Sequence, residues 1–329
     1  MAAWVYCIDP GALNLKIRGV GNDTKYYREK NIAALSGNKV CAYGNEAYRM
    51  YEKTPGSIEM VFPVSEGKVC NFDVQQEILF SVMEQRAGVK MRRAEFAVAV
   101  PSTITDLEKR VFYELFYRSK SRPKNVYLCE KPLADARGLG LDIQEKEGQL
   151  IIDFGASYTD AAIVANGRVA CSVRIPIGGN HLDEAIVRFL HQQYHIVIGL
   201  TTACRLKETI GSLDPLIADS MTVVGRDMAS GLPVTMEISA EQVRNAILPV
   251  LNAWCDAVRQ MIGNCSPELL QGILNRGIYL TGGGASLKGL KEVLAAMTFL
   301  KIRVDDHPED TTVNGLVRML EDWKKEPVR

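Results

Sequence analysis

The chain has 329 residues, and its 39 basic and 39 acidic side chains give a formal charge of zero. At roughly 100–200 residues per domain that length calls for about two domains, and 47% apolar with 24% charged residues is an ordinary globular balance. Without a basic surplus it is no dedicated nucleic-acid binder, and no apolar run approaches the roughly 18 residues of a membrane span.

In chain order, Trp4 to Ile8 reads as a buried strand ending in Asp9-Pro10-Gly11, followed by a second strand through Leu15–Arg18 and a turn at Gly19. The start lacks the basic flank of a signal peptide. Eight cysteines are scattered without a C-x-x-C pair, most of them inside apolar runs, as expected for buried thiols of a reducing, cytoplasmic protein. Thr105-Asp106-Leu107-Glu108 is a capping box that predicts a helix through Arg118, with Leu107, Val111, Leu115 and Phe116 on its apolar face.

The opening pattern then recurs. Gln149 to Ile152 runs into Asp153-Phe154-Gly155, then Ala161 to Val164 and a turn at Asn166-Gly167. The two aspartates stand 144 residues apart, close to half the chain, which predicts two related halves. His191 and His195 could share a helix face, but a zinc-protease motif needs Glu where Gln192 stands, so surface or packing histidines are expected. Glu241 to Ile262 carries a helical stripe of Ile247, Leu251, Trp254 and Val258, with a kink expected at Pro249. Ile278 to Thr281 is a short strand entering Gly282-Gly283-Gly284, and helical periodicity resumes from Leu287 to Leu294. Glu321 to Glu326 reads as a solvated helix end. Strands alternating with helices predict an α/β architecture.

Glycines at a strand-to-helix turn let backbone N–H groups approach a phosphate. The Gly282–Gly284 turn matches neither the Walker A pattern nor G-x-G-x-x-G, and a plain connecting turn is the alternative. Two D-x-G hairpins plus this turn suit a nucleoside triphosphate, with Asp9 and Asp153 able to hold Mg²⁺ directly or through water. Taken singly, each aspartate could equally accept the N–H groups of its own turn.

Longer strings carry a family likeness. Lys53-Thr54-Pro55-Gly56-Ser57-Ile58, Asn71-Phe72-Asp73-Val74, Val100-Pro101-Ser102-Thr103-Ile104-Thr105, Gly178-Gly179-Asn180-His181-Leu182-Asp183-Glu184-Ala185-Ile186, Gly225-Arg226-Asp227 and Gly277 to Ala285 resemble, in order, segments of the bacterial actins of the MreB group, within the actin/Hsp70/sugar-kinase superfamily. The resemblance implies a duplicated, ribonuclease-H-like actin fold with two lobes around a cleft that binds ATP or GTP with Mg²⁺. Lobe one would span 1–147, with a small subdomain at about 31–66. Lobe two would span 148–310, with a small subdomain at about 183–247, and 311–329 would return to lobe one. It further implies filaments, formed alone or with a conventional MreB paralogue, on the inner face of the membrane, where they position cell-wall synthesis and set cell shape with the cell-elongation membrane proteins. The basic segment 87–94 is the candidate membrane contact.

By the same resemblance, Ala12, Leu13 and Asn14, then Gly155, Ala156 and Ser157, would flank the phosphates, with Mg²⁺ at Asp9 and Asp153. Cys204, Arg205, Leu206 and Lys207 would lie on the adenosine side, and Gly282, Gly283, Gly284 and Ala285 on the purine side. Departures from the family are concentrated here. The first turn has lost both hydroxyl donors, Tyr158 brings bulk to the second, and Cys204 replaces a carboxylate. Glu130-Lys131-Pro132 puts Lys131 where an acidic residue is expected to orient the attacking water. A protonated lysine accepts no proton, which predicts a degenerate site with weak or absent hydrolysis. An active ATPase of the usual kind and a small-molecule kinase of the same superfamily are the alternatives.

Overall fold

The computed structural model describes residues 4–21, 25–86, 88, 93–117 and 123–325. Val5–Pro10 and Asn14–Val20 form an antiparallel hairpin in which Asp9 lies opposite Lys16, and Tyr26–Lys30 extends it on one side. On the other side Glu95–Val100 pairs in parallel with the first strand, and Asn125–Glu130 pairs in parallel with Glu95–Val100. Phe96 to Val100 are all buried, as an unbroken apolar run requires of a strand covered on both faces.

The second half repeats this sheet strand for strand. Gln149–Phe154, Thr159–Ala165 and Arg168–Ile175 form the meander, and Ile278–Thr281 and Ile302–Val304 add in parallel. The internal duplication read from the two aspartates is therefore present in the fold. Asn166 and Gly167 have φ of 52° and 73°, the two left-handed residues of a tight hairpin turn. The turn expected at Gly19 is displaced: Gly19 stays in its strand opposite Tyr6, and the chain reverses beyond Val20.

Two smaller sheets flank the cleft. Ala33–Ser36 pairs with Lys39–Tyr43 and Ile58–Val61 beside the helix Gly44–Met50. Ile196–Val197, Ser220–Asp227 and Pro233–Ser239 form the other sheet. The capping box at Thr105 is formed, but its helix spans Asp106–Glu114, and Leu107 is 74% exposed while Phe112, Leu115 and Phe116 carry the core face. The helix Ala240–Gly263 runs through Pro249 and opens with a capping box of Ser239 and Gln242. Its fully buried Trp254 stacks on Phe154 with ring centroids 4.8 Å apart and donates to the Thr159 hydroxyl at 2.9 Å. The ring thereby fixes both ends of the second D-x-G hairpin.

Two helices join the halves. Lys131–Gly138 follows directly on the strand Asn125–Glu130, and its Ala136 packs with Ile151, Val164 and Tyr279. The C-terminal helix Thr311–Lys325 packs Val313, Leu316, Met319 and Leu320 against Val5, Cys7 and Ala99 of the first sheet. The two cross in backbone contact at Gly138 and Gly315.

Candidate functional site

The two D-x-G hairpins face each other across the cleft, and their turns are built alike. A Cβ at Gly11 would lie 2.8 Å from the Asn14 carbonyl oxygen, and one at Gly155 would lie 2.8 Å from that of Tyr158, so both turns close only on glycine. Asp9 and Asp153, at the ends of the leading strands, are 2% and 4% exposed. A buried carboxylate needs a paired charge, and the pairing register supplies it unequally. Opposite Asp9 stands Lys16, whose Nζ is 3.0 Å from Asp9 Oδ2. Opposite Asp153 stands a second acid, Asp160, which turns to accept the Ser102 amide at 2.9 Å together with the Ser102 hydroxyl.

The missing cation for Asp153 comes from the other lobe. Lys131, the first residue of its helix, places Nζ 2.8 Å from Asp153 Oδ2 and 3.5 Å from Asp9 Oδ1. Burial alone would lower its pKa, but the Asp153 and Asp9 charges outweigh it and hold the ammonium well above the usual lysine range. Burial would raise Asp9, yet the Lys131 and Lys16 charges keep that carboxyl below its ordinary value. Asp135, one turn into the same helix, is pushed well above the carboxylate range by burial and then by Asp153, and it accepts the Thr312 hydroxyl at 2.6 Å.

These groups line a cavity of about 440 Å³, to which Leu13, Asn14, Arg28 and Lys30 are added from the first half. From the second half come Gly179, Asn180, Cys204, Lys207, Glu208, Gly282–Gly284 and Lys288. Such a volume suits a small organic ligand, and six cationic side chains against four carboxylates favour an anionic one. Lys207 donates to the Gly179 carbonyl at 2.8 Å and pairs with Asp183 at 2.8 Å. The three glycines differ in role. A Cβ at Gly282, where φ is +83°, would lie 2.2 Å from Asp153 Oδ1, and one at Gly284 would lie 2.6 Å from the Phe154 ring, whereas Gly283 has open space. Gly282→Ala is therefore expected to cost about 1–3 kcal/mol of stability and Gly283→Ala almost none, a difference that thermal denaturation of the two variants reads directly.

The sequence model of the MreB/Mbl protein family matches residues 5–327. The chain belongs to the MreB/Mbl family. It is similar to the cell shape-determining protein Mbl of Bacillus subtilis, with 32% identity over 98% of this chain and 97% of the relative. Likeness to the cell shape-determining protein MreB of Escherichia coli is 31% over 95% and 92% of the two chains. Among solved structures, MreB5 of Spiroplasma citri bound to AMPPNP superposes with a TM-score of 0.93 at 30% identity, covering 99% of this chain and 98% of that one. The two-lobed actin-like fold expected from the sequence is the fold observed.

Set in this MreB/Mbl frame, the expected site residues divide. Asp9, Leu13, Asn14, Lys131, Asp153, Gly155, Ala156, Cys204, Lys207 and Gly282–Gly284 line one cavity. Ala12 and Ser157 line a neighbouring one with Tyr48 and Tyr51. Leu206 and Ala285 belong to the core, because they are the inward positions of their helix and turn, and Arg205 faces solvent. Glu130 is half-buried and lines neither cavity. Tyr158 also lines the cavity, and its ring lies beside Gly67 with the Arg174 guanidinium 5.5 Å away. His195 caps its helix in a left-handed conformation, and among the described residues no cluster of His, Cys, Asp or Glu could hold a metal.

The pairing of the two aspartates bears on Mg²⁺. Asp9 and Asp153 each already hold an ammonium, so the four groups sum to no net charge. The Lys131 and Lys16 ammonium groups thus cancel the attraction that two unpaired carboxylates would offer a dication. These residues do not fit a bound Mg²⁺. Lys16, Arg28, Lys30, Gly179, Asn180 and Lys288 are lining residues that the sequence reading missed. Lys16 alone had a signal, since a lysine seven residues after Asp9 must face it across a two-stranded turn.

Proposed function

We propose that this chain is a cytoskeletal actin of the cell-shape class that binds a nucleoside triphosphate, ATP or GTP, between its lobes and hydrolyses it weakly or not at all. The observation that carries the reading is the Lys131 ammonium seated between Asp9 and Asp153, where a charged group that accepts no proton replaces a water-orienting acid. Nucleotide binding is supported by the cationic cleft and by the likeness to an MreB5 described as bound to AMPPNP. A role in cell shape is supported by relatives named for it. The protein assembles into filaments, alone or with a conventional MreB paralogue, on the cytoplasmic face of the membrane beside the cell-elongation proteins.

No helix among the described residues is long and apolar enough to cross a membrane. The basic segment 87–94, the proposed surface contact, lies largely outside the described residues. Electron microscopy of the purified protein with ATP or GTP, alongside a phosphate-release assay, tests the whole reading. Filaments without phosphate release support it, filaments with brisk release favour the fully active ATPase, and no assembly in any condition removes the filament.

A latch between the small subdomains bears on nucleotide exchange. Glu52 accepts the Leu200 and Thr201 amides at 2.5 and 3.0 Å and the Thr201 hydroxyl at 2.6 Å, capping the helix Leu200–Ile210 from across the cleft. A carboxylate at a helix N-terminus contributes about 1 kcal/mol or more. Glu52→Ala is expected to speed release of a fluorescent nucleotide by about fivefold to tenfold in stopped flow; an unchanged off-rate would show that the latch does not gate the cleft.

A further inference from the structure

Three features of Lys131 call for a common explanation. An ammonium at the first position of a helix opposes the positive end of the helix dipole. It is also long and flexible, yet its side chain is only 12% exposed. Finally, it comes from one lobe and satisfies the carboxylate of the other, reaching Asp153 at 2.8 Å and Asp9 at 3.5 Å. Leaving Asp153 unpaired opposite Asp160 would place two acids face to face across a ladder. A cation bridging Asp9 and Asp153 is what the duplicated hairpins require, and a covalently attached one meets the requirement permanently.

Such a bridging cation is the part a divalent ion would otherwise play between two carboxylates and a polyphosphate. An ammonium has three donors. One donates to Asp153 at 2.8 Å, Asp9 lies in ion-pair range at 3.5 Å, and donor capacity remains for an oxygen of the ligand in the cleft that Lys131 lines. Lys30 and Lys288 line the same cavity, and its six cationic side chains outnumber its four carboxylates, so it keeps a positive excess for a polyphosphate without a metal.

We infer that Lys131 is a built-in replacement for the metal ion, so that this chain binds nucleoside triphosphate in metal-free form. The inference rests on the nucleotide-binding reading above and deepens it. It assigns Lys131 the positive task of coordinating phosphate and both lobes together, beyond the loss of a hydrolytic acid. The bridge also makes closure of the lobes independent of the metal supply, because its three partners are Asp9, Asp153 and the nucleotide.

Calorimetric titration of the full chain with ATP and with GTP, in EDTA and in excess Mg²⁺, tests this. Affinities for the preferred nucleotide agreeing within about threefold support the inference, since no metal-dependent contact is then missing. A loss of about tenfold or more in EDTA, or one Mn²⁺ bound per nucleotide by electron paramagnetic resonance, overturns it while leaving nucleotide binding intact. Absence of binding in all four conditions overturns both readings. Lys131→Met is expected to lose about tenfold or more in EDTA and to regain it with Mg²⁺, the size of a charge-assisted contact. Lys131→Arg keeps the cation and should stay insensitive to EDTA. Should the methionine variant fail to fold, the EDTA comparison and the manganese count on the unmodified chain still decide.

Discussion

Lys131→Glu is expected to lower the melting temperature in EDTA by roughly 10 °C and to recover most of that loss in millimolar Mg²⁺. The substitution turns two attractive contacts, at 2.8 and 3.5 Å, into two repulsive ones inside a site where Asp9 and Asp153 are almost fully buried. Breaking a buried pair by removing one partner typically costs about 3–5 kcal/mol. Lys16, paired with Asp9, would be the one cation left among three carboxylates, a charge set that favours a dication. The same variant restores an acid at the position where water must be oriented. With Mg²⁺ present, phosphate release is expected to rise by about 10²-fold, the lower end of what a positioned general base contributes. Differential scanning calorimetry with and without metal reads the first effect, and a phosphate-release assay reads the second. A melting temperature indifferent to both the substitution and the metal would mean that the Lys131 contacts carry no weight in the folded chain.

That site shows where sequence reading succeeds and where it stops. The paired D-x-G hairpins were legible because a strand pattern and a turn are local, and their recurrence 144 residues apart needs no tertiary knowledge. The capping box at Thr105 and the Asn166-Gly167 turn are legible for the same reason. Asp9 and Asp153 were identified as the acids of the site, but the cation between them was not. Whether an aspartate holds a metal or an ammonium depends on what another lobe delivers to it, and Lys131 arrives from a helix 22 residues upstream of Asp153 in sequence. The sequence marks the lysine as a departure that removes a proton acceptor and offers a cation to phosphate, but not as the partner of two aspartates. Its geometry makes it the partner that the like-charged pair Asp153 and Asp160 needs.

Leu206 and Ala285 show the opposite failure. A motif string names consecutive residues, whereas inward positions of a helix recur every three to four residues, and these two are core. The spacing of Gly282 and Gly284 suggests phosphate approach, but each position requires glycine because Asp153 or Phe154 lies where its Cβ would be. Gly283 alone has the open space that a ligand-facing glycine needs. A glycine run therefore mixes packing and binding roles that spacing cannot separate.

Gly315→Ala tests the joint between the halves and is expected to be among the most damaging single-methyl changes in the chain. A Cβ on Gly315 would sit 1.6 Å from the Ala134 carbonyl oxygen and 2.5 Å from its carbon, both backbone atoms that no side-chain rotation can move. Across the same crossing, Gly138 would place a Cβ 2.2 Å from the Thr311 carbonyl oxygen. The helices must separate, and they have little freedom to do so. Lys131–Gly138 is held at its start by the Lys131 bridge and packed through Ala136 on the second sheet. Thr311–Lys325 is seated through Val313 and Leu316 on the first. Overpacking of a filled core costs about 1–3 kcal/mol and sometimes more, and with a fixed backbone on both sides about 3 kcal/mol or more is expected. That corresponds to a fall of roughly 6–12 °C in melting temperature. Gly263→Ala is the matched control, since it lies at the end of a helix with nothing near its Cβ and should leave the melting temperature unchanged. Because the displaced helix begins with Lys131, the Gly315 variant should also weaken nucleotide binding without touching the cleft. Equal melting temperatures for the two alanine variants would mean that the crossing yields at no cost and that the lobes are joined elsewhere.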